Sequence, residues 1–392
     1  MIVLYVVLAI VILLFMVLIH EFGHYVVGRM LNFKITEFSV GFGKALISRK
    51  NKRGELISLR LFPLGGYCAF AGEDETNVDA KDAFTNQKPW KRILVFLAGV
   101  TFNFAAAIIF SLILLCTVGY DVPKVDSVAF DSTSITHVSS DSNNLTNFDT
   151  SNTLEPGDVI ISINGEKIDF AYGKNYNELI SAQLSKLKTY ISSSKERDGD
   201  AFDEESAFLN FDNFNAIVRR NGEYKNVELG FYQVKIDEYD KDNNPTGETF
   251  YRYYFNVNAS AYVHSFVEGL ERAVPFSFGM GWVVLKSLWL LITFQLPITA
   301  IGGPITTITT IATYTQQNME NLLILLPLIS ANLAIFNLLP IPALDGAHVL
   351  FTSIEAVRKK PIKREVENMI HTIGLLVLLG AVIIIDILHF VL

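Results

Sequence analysis

Two histidines and a glutamate stand in the first apolar segment at a spacing that can hold a metal ion. They are His20, Glu21 and His24, in the sequence HEFGH. On a helix the two imidazoles lie about one turn apart on the same face, where neutral rings can bind one Zn²⁺. The glutamate between them can take a proton from water at such a centre. Because ionisable groups inside an apolar span are costly, we interpret these residues as a metal centre rather than as polar groups facing lipid headgroups.

A third ligand must come from another part of the chain. The first candidate is Asp345 in the sequence NLLPIPALDGAH, where Pro340 and Pro342 interrupt an apolar helix. Irregular backbone at membrane depth is tolerated where it is buried in protein or lines a cavity. Two alternatives stay open: His348 is the rival ligand, and Asp345 can instead be a simple helix cap. The remaining histidines carry little signal. His137 and His264 belong to the polar segment 120–265 or its edge, and His371 and His389 are expected to be structural.

The composition excludes several classes of protein. Of the 392 residues, 50% are hydrophobic and only 18% are charged. A soluble domain carries about 25% charged residues, so the composition excludes a purely soluble protein. The net charge of −8 argues against a nucleic-acid binder. Two cysteines, Cys68 and Cys116, are too few for a disulfide framework or a thiolate zinc site. A metal in this chain must therefore use histidine and carboxylate.

The apolar residues are concentrated in four runs that approach or exceed the roughly 20 residues needed to cross a bilayer. We expect transmembrane helices at about 2–30, 93–119, 322–341 and 366–392. The first run lacks a basic start and a small-residue cleavage site, so we interpret it as retained rather than as a signal peptide. A weaker run at about 276–297 is expected to lie in the membrane interface.

The charges of the loops predict the orientation. The loop RKKPIKR (358–364) carries five basic residues, and segment 28–92 holds 12 basic against 7 acidic residues. Segment 120–265 holds 13 basic against 24 acidic residues. Because short basic loops stay in the cytoplasm, four crossings place segment 120–265 and both termini outside.

The polar segment 120–265 is expected to be a separate domain. Its sequence LEPGDVIISINGEKI predicts a strand followed by a hairpin turn at Asn164-Gly165, and the same pattern recurs around Asn221-Gly222. Residues 176–190 are predicted to form a helix. Two stretches rich in Ser, Asp, Asn and Glu, about 131–152 and 192–206, are expected to be flexible insertions.

Six motifs follow one another along the chain: HEFGH, PLGGY (63–67), Asn103-Phe104, LEPGDVIISINGEKI, GGPI (302–305) and NLLPIPALDGAH. Together they resemble the site-2 protease family of intramembrane zinc metalloproteases, in particular its bacterial RseP-like type. The similarity extends from one end of the chain to the other.

The resemblance implies an α-helical polytopic membrane protein with about four transmembrane helices, a membrane-re-entrant β-loop and an inserted extracytoplasmic PDZ-like α+β domain. On this basis a first membrane core covers 1–119 with its loop at 31–92, the PDZ-like domain covers 120–265, and a second membrane core covers 266–392. The implied location is the bacterial cytoplasmic membrane.

The resemblance also assigns roles to residues. Zinc is expected on His20, His24 and Asp345, with Glu21 as the base. Four further residues are expected to bind substrate: Asn337, which would help hold an extended strand, and Gly65, Gly66 and Tyr67, whose loop would present a β edge.

The implied partners are the lipid bilayer and single-span membrane proteins such as anti-sigma factors or signal-peptide remnants, cut at or near their spans. The PDZ-like domain is expected to contact peptides, or to exclude substrates that have not been trimmed. Two other functions stay open from the residues alone: a metal transporter, and a catalytically silent scaffold.

Overall fold

The computed structural model describes residues 2–73, 83–128, 137–138, 154–168, 176–212, 214–229, 231–239, 245–255, 257–297, 302–360 and 362–391. The chain divides into two compact units. The first consists of Met1–Leu114 with Leu270–Leu392, and the second is Leu115–Gly269.

The helices of the described residues are α1 (Ile2–Met30), α2 (Pro89–Thr117), α3 (Tyr176–Asp198), α4 (Glu204–Leu209), α5 (Phe266–Ile292), α6 (Pro304–Gln317), α7 (Glu320–Leu338), α8 (Asp345–Arg358) and α9 (Arg364–Val391). The strands are β1 (Ile35–Lys50), β2 (Leu56–Phe70), β3 (Pro123–Val128), β4 (His137–Val138), β5 (Val159–Ile163), β6 (Glu166–Lys167), β7 (Phe214–Arg220), β8 (Glu223–Leu229), β9 (Phe231–Tyr239), β10 (Pro245–Phe255) and β11 (Val257–Ala261).

Five helices of the described residues are long and apolar enough to cross a membrane: α1, α2, α5, α7 and α9. Four of them cover the predicted spans. The weaker run at 276–297 forms most of the fifth, α5, which has 27 residues and exposes large side chains such as Phe278 and Trp289. Length and composition therefore allow α5 to cross, and the prediction of four crossings remains a prediction.

The predicted break after the third run is present. Helix α7 ends at Leu338, and a short irregular segment with Pro340 and Pro342 leads into α8, whose first residue is Asp345. Arg92 of α2 fixes the outer part of α8, because its Nη1 donates to both oxygens of Glu355 at 3.0 and 3.1 Å. This charge-assisted ion pair, in which one arginine nitrogen contacts both carboxylate oxygens, holds α8 beside α2.

The segment between α1 and α2 folds into a small sheet made by β1 and β2. Residues 66–70 pair with 35–40, while residues 56–60 pair with 45–50 and also with 37–40. Residues 66–70 therefore lie at the edge of this sheet. Tyr67 of that edge is oriented by Glu37, whose carboxylate accepts from the Tyr67 hydroxyl at 2.9 Å and from Arg60 at 2.7 Å.

The GGPI motif marks the start of α6. Asp386 of α9 accepts hydrogen bonds from the backbone N–H groups of Ile305 and Thr306, both at 3.1 Å, and from the Thr306 hydroxyl at 2.8 Å. A carboxylate from one helix thus satisfies the first donors of another, which ties α6 to α9.

The second unit contains two sheets. The larger has the order β11-β3-β5-β7-β8 with β6 paired to β5, and the smaller has the order β10-β9-β4. Both predicted hairpin turns are confirmed, since Asn164-Gly165 joins β5 to β6 and Asn221-Gly222 joins β7 to β8, with positive φ at all four residues.

An ion pair lies in the core of the second unit. Arg220 of β7 donates to both oxygens of the fully buried Asp158, at 2.8 and 2.7 Å, and also to Glu155. Hydrogen bonding to the Asp158 carboxylate raises the pKa of the Arg220 guanidinium. Losing Arg220 would leave the buried Asp158 carboxylate without its counter-charge, whereas losing Asp158 would still leave Arg220 paired with Glu155.

One expectation for this unit is wrong. The stretch 192–206 is not a flexible insertion, because α3 continues to Asp198 and α4 begins at Glu204. Ile191 and Ser194 are buried, and this contact with the core extends the helix despite its polar composition. The other expected insertion, 131–152, lies outside the described residues except for β4.

Candidate metal centre

Three ligand-type atoms meet between α1 and α8. Nε2 of His20 and Nε2 of His24 are 3.2 Å apart, and Oδ2 of Asp345 lies 2.9 Å from the first and 3.3 Å from the second. Both histidines are buried, with side chains that are 10% and 9% exposed. Oδ2 of Asp345 is buried and has no hydrogen-bond partner in the described part of the chain, so it is available as a ligand atom.

This arrangement fits a zinc ion. Nitrogen and oxygen ligands at 2.0–2.2 Å from a tetrahedral zinc lie about 3.4 Å from one another. The three observed separations, 2.9, 3.2 and 3.3 Å, are close to that value. Two imidazoles and one carboxylate also form a ligand set that catalytic zinc sites use, with a fourth position left for water or substrate.

Helix α2 positions the two imidazoles through residues spaced by four. The backbone carbonyl of Val95 accepts a hydrogen bond from Nδ1 of His24 at 2.7 Å, which leaves Nε2 of that ring as the lone-pair atom. Gly99 provides the space for the rings: a Cβ there would lie 2.5 Å from Cε1 of His20 and 2.6 Å from Nε2 of His24.

Asn103 completes this face of α2. Its fully buried side chain places Nδ2 3.4 Å from Nδ1 of His20, and the side-chain oxygen Oδ1 has no hydrogen-bond partner in the described residues. The two ends of an amide are assigned from the surrounding hydrogen bonds. Turning the amide over lets the oxygen accept from Nδ1 of His20, and this leaves Nε2 of that ring as a ligand atom.

Three of the remaining predicted site residues line a cavity of about 420 Å³ beside these atoms: Glu21, Asn337 and Tyr67. Gly66 lies on the Glu21 side, where a Cβ would be 3.6 Å from Cγ of Glu21 and 2.7 Å from the carbonyl oxygen of Ser39. Gly65 lies against Phe42 instead.

His348 lines the same cavity but belongs to a different group of side chains. Its ring stacks on His371 with centroids 3.9 Å apart and planes within 10°, and Nδ1 lies 3.8 Å from Oε1 of Glu367. Ligand lone pairs lie in the plane of an imidazole, so two parallel rings at this spacing cannot both point to one ion. Of the two candidates for the third ligand, Asp345 is the one whose carboxylate lies within 3.3 Å of both His20 and His24.

Sequence reasoning missed the α2 residues that surround the imidazoles. The sequence signal that could have found them is Gly99 and Asn103, a glycine and an asparagine four residues apart in an apolar helix. The carbonyl of Val95, one turn before Gly99, has no such signal. Asn103 stands out in the sequence only as part of the Asn103-Phe104 motif. His371 was expected to be structural, although Glu367 precedes it by one helical turn.

Comparison with known proteins decides the family. The model for Peptidase family M50 matches residues 8–381. The chain belongs to peptidase family M50. The resemblance to site-2 proteases inferred from the motifs is thereby confirmed at the level of the family.

Relatives of this M50 peptidase cover nearly the whole chain. A Campylobacter jejuni protein named as a zinc metalloprotease is 29% identical over 93% of this chain and 88% of its own length. A protein of Clostridium perfringens with the same description is 27% identical over 95% of this chain and 94% of its own length. A chloroplastic membrane metalloprotease of Arabidopsis thaliana is 26% identical over 93% of this chain and 74% of its own length. These names favour a zinc metalloprotease over a transporter or a silent scaffold.

The role of Gly99 in this M50 peptidase is testable by adding one methyl group. In Gly99→Ala the new Cβ must displace an imidazole, so we expect zinc affinity to fall about tenfold or more, as it does when residues that orient ligands are changed. Alanine favours a helix by about 1 kcal/mol over glycine, so a general loss of helix stability cannot account for the effect.

Competition with a chromogenic chelator measures this affinity in the detergent-solubilised chain. Ala105→Ser, an equally small addition at an exposed position of the same helix, is the control. Equal zinc affinity in Gly99→Ala and the control contradicts the assigned role of Gly99.

Proposed function

We propose that this chain is an intramembrane endopeptidase that hydrolyses peptide bonds within or near the transmembrane segments of single-span membrane proteins. It is a multi-pass membrane protein of a zinc metalloprotease family. The observation that carries the proposal is the convergence of His20, His24 and Asp345 inside a unit built from apolar helices of membrane-spanning length. In the proposal these three residues bind zinc, and Glu21 acts as the base.

When bound, zinc supplies Lewis-acid polarisation of a peptide carbonyl and lowers the pKa of a water molecule toward about 7. The chain's own residues do the rest. Glu21, beside the imidazoles and at the cavity, takes a proton from the attacking water on its carboxylate and passes that proton to the amine that leaves when the C–N bond breaks. The buried carbonyl of Val95 and the amide of Asn103 keep His20 and His24 oriented with Nε2 toward the centre.

A helical substrate must unwind before it can be cut, because its amides are engaged in hydrogen bonds. The edge formed by residues 66–70 offers the backbone groups that an extended segment needs, by addition of a strand. Gly66 of this edge lies beside Glu21, and Tyr67 and Asn337 line the cavity where the segment would lie. We therefore assign substrate binding to this edge and to Asn337.

The proposed base is tested by Glu21→Gln. We expect the variant to bind zinc within about threefold of wild type and to cleave membrane substrates at least a hundredfold more slowly, as is typical for loss of a general base. Glu271→Gln makes the same chemical change at an exposed position of α5 and should cleave normally.

Cleavage is measured by mapping new termini in the membrane fraction of matched cells that express each variant. The sites should fall within or next to single transmembrane segments and disappear in Glu21→Gln. The same set of fragments in both cell lines would remove the proposed base.

We further propose that the loop 358–364 is cytoplasmic, that both termini and the second unit are outside, and that α5 lies in the interface. The five basic residues of that loop and the acidic excess of 120–265 support this orientation.

Two single variants, Lys225→Cys and Lys360→Cys, are made in a chain whose native Cys68 and Cys116 have been replaced. In intact cells, an impermeant thiol reagent should label Lys225→Cys and should not label Lys360→Cys. Labelling of both positions from outside would mean that α5 crosses the membrane.

The second unit is proposed to be PDZ-like and to restrict access of substrates whose outer part has not been trimmed. It is inserted into the chain between α2 and α5. Its ends are joined by backbone hydrogen bonds, from Tyr262 N–H to the carbonyl of Val122 at 2.9 Å and from His264 N–H to that of Leu115 at 2.9 Å. This arrangement permits removal of the unit without separating the helices that flank it.

Deleting residues 122–262 tests this proposal. An untrimmed substrate should then be cut several-fold faster, while a pre-trimmed substrate should be cut at the wild-type rate. Unchanged cleavage of the untrimmed substrate, with the trimmed one still cut normally, contradicts a restrictive role.

A further inference from the structure

The backbone just before Asp345 has an unusual conformation. Ala343, two residues earlier, has φ of +77°, a region that side chains other than glycine rarely adopt. Such a residue keeps its conformation only when the surrounding structure determines it. The turn at Ala343 directs the chain into α8, so whatever holds Ala343 also sets the position of the Asp345 carboxylate.

Helix α9 holds this turn with two residues that lie on one face. Nδ1 of His371 accepts a hydrogen bond from the backbone N–H of Ala343 at 2.9 Å. One turn further along, Gly374 lies so close to Pro342 that a Cβ would overlap the proline ring. One contact orients the backbone of the turn, and the other brings the helix close enough to make that contact.

The ring of His371 is itself held in place. It stacks on His348 of α8, and His348 stacks in turn on Phe96 of α2 with centroids 4.9 Å apart and planes within 13°. The three rings therefore link α2, α8 and α9. Because Nδ1 of His371 accepts a hydrogen bond, the ring in this arrangement is neutral and carries its proton on Nε2.

We propose that His371 is a positioning residue for the metal centre. Through the N–H of Ala343 it fixes the left-handed turn that places Asp345 against His20 and His24. This inference rests on the proposed role of Asp345 as a zinc ligand. It assigns His371 no contact with the metal or the substrate.

Two substitutions separate the hydrogen bond from the stacking. His371→Phe keeps a flat ring against His348 and removes the acceptor. His371→Asn loses most of the ring and keeps an oxygen close to the position of Nδ1. If the hydrogen bond positions Asp345, zinc affinity should fall about tenfold in His371→Phe, at the lower end of the range for residues that orient ligands, and return to within about threefold of wild type in His371→Asn.

The readouts are chelator competition and the visible absorption of the cobalt-substituted, detergent-solubilised full chain. We expect the ligand-field bands of His371→Phe to change in position or intensity and those of His371→Asn to match wild type. Wild-type affinity and spectrum in His371→Phe, or an equal loss in both variants, overturns the proposal.

A second pair of variants tests the same idea without changing the histidine. Gly374→Ala pushes α9 away from Pro342 and should weaken zinc binding, whereas Gly380→Ala, on the same helix with no atom within 4 Å of the added carbon, should not. Equal zinc affinities for the two variants count against the proposal.

Asp345→Asn separates failure of this inference from failure of the site. If Asp345→Asn keeps full zinc binding while His348→Ala loses it, the proposed third ligand is wrong and the inference falls with it. If Asp345→Asn loses zinc and His371→Phe does not, only the inference about His371 is wrong.

Discussion

The first unit keeps three potential metal-ligand atoms close together and buried. Nε2 of His20, Nε2 of His24 and Oδ2 of Asp345 are separated by 2.9–3.3 Å. At this spacing two lone pairs that share neither a proton nor a cation repel each other, which is costly in an apolar environment. A divalent cation reverses the sign of that interaction, because each donor then gains a bond. Zinc bound at the proposed site would therefore stabilise the packing of α1 against α8 as well as supply the reactive centre.

The surrounding helices keep this arrangement through small residues and backbone groups. Gly99 leaves room for the two rings, and the carbonyl of Val95 orients one of them. Arg92 fixes α8 through Glu355, and α9 contacts the turn before Asp345 through His371. The three candidate ligands come from α1 and α8, and contacts with α2 and α9 surround them.

The sequence predicted the parts of this site that have a strong local pattern. The HEFGH pair follows from helical spacing, the interruption before α8 follows from its prolines, and the hairpins of the second unit follow from Asn-Gly turns. The roles of Gly99 and His371 could not be predicted in this way, because they depend on which helices pack together. The length of α3 was underestimated for a similar reason, since burial of Ile191 outweighs the polar composition around it.

X-ray absorption at the zinc K-edge of the zinc-loaded chain shows which atoms surround the metal. We expect a first shell of two imidazole nitrogens and carboxylate or water oxygen at about 2.0–2.2 Å, with no sulfur. Cys68 lines the same cavity and is a free thiol, so it is the alternative ligand. A sulfur scatterer at about 2.3 Å, or a shell with fewer than two imidazoles, would contradict a centre built from His20, His24 and Asp345.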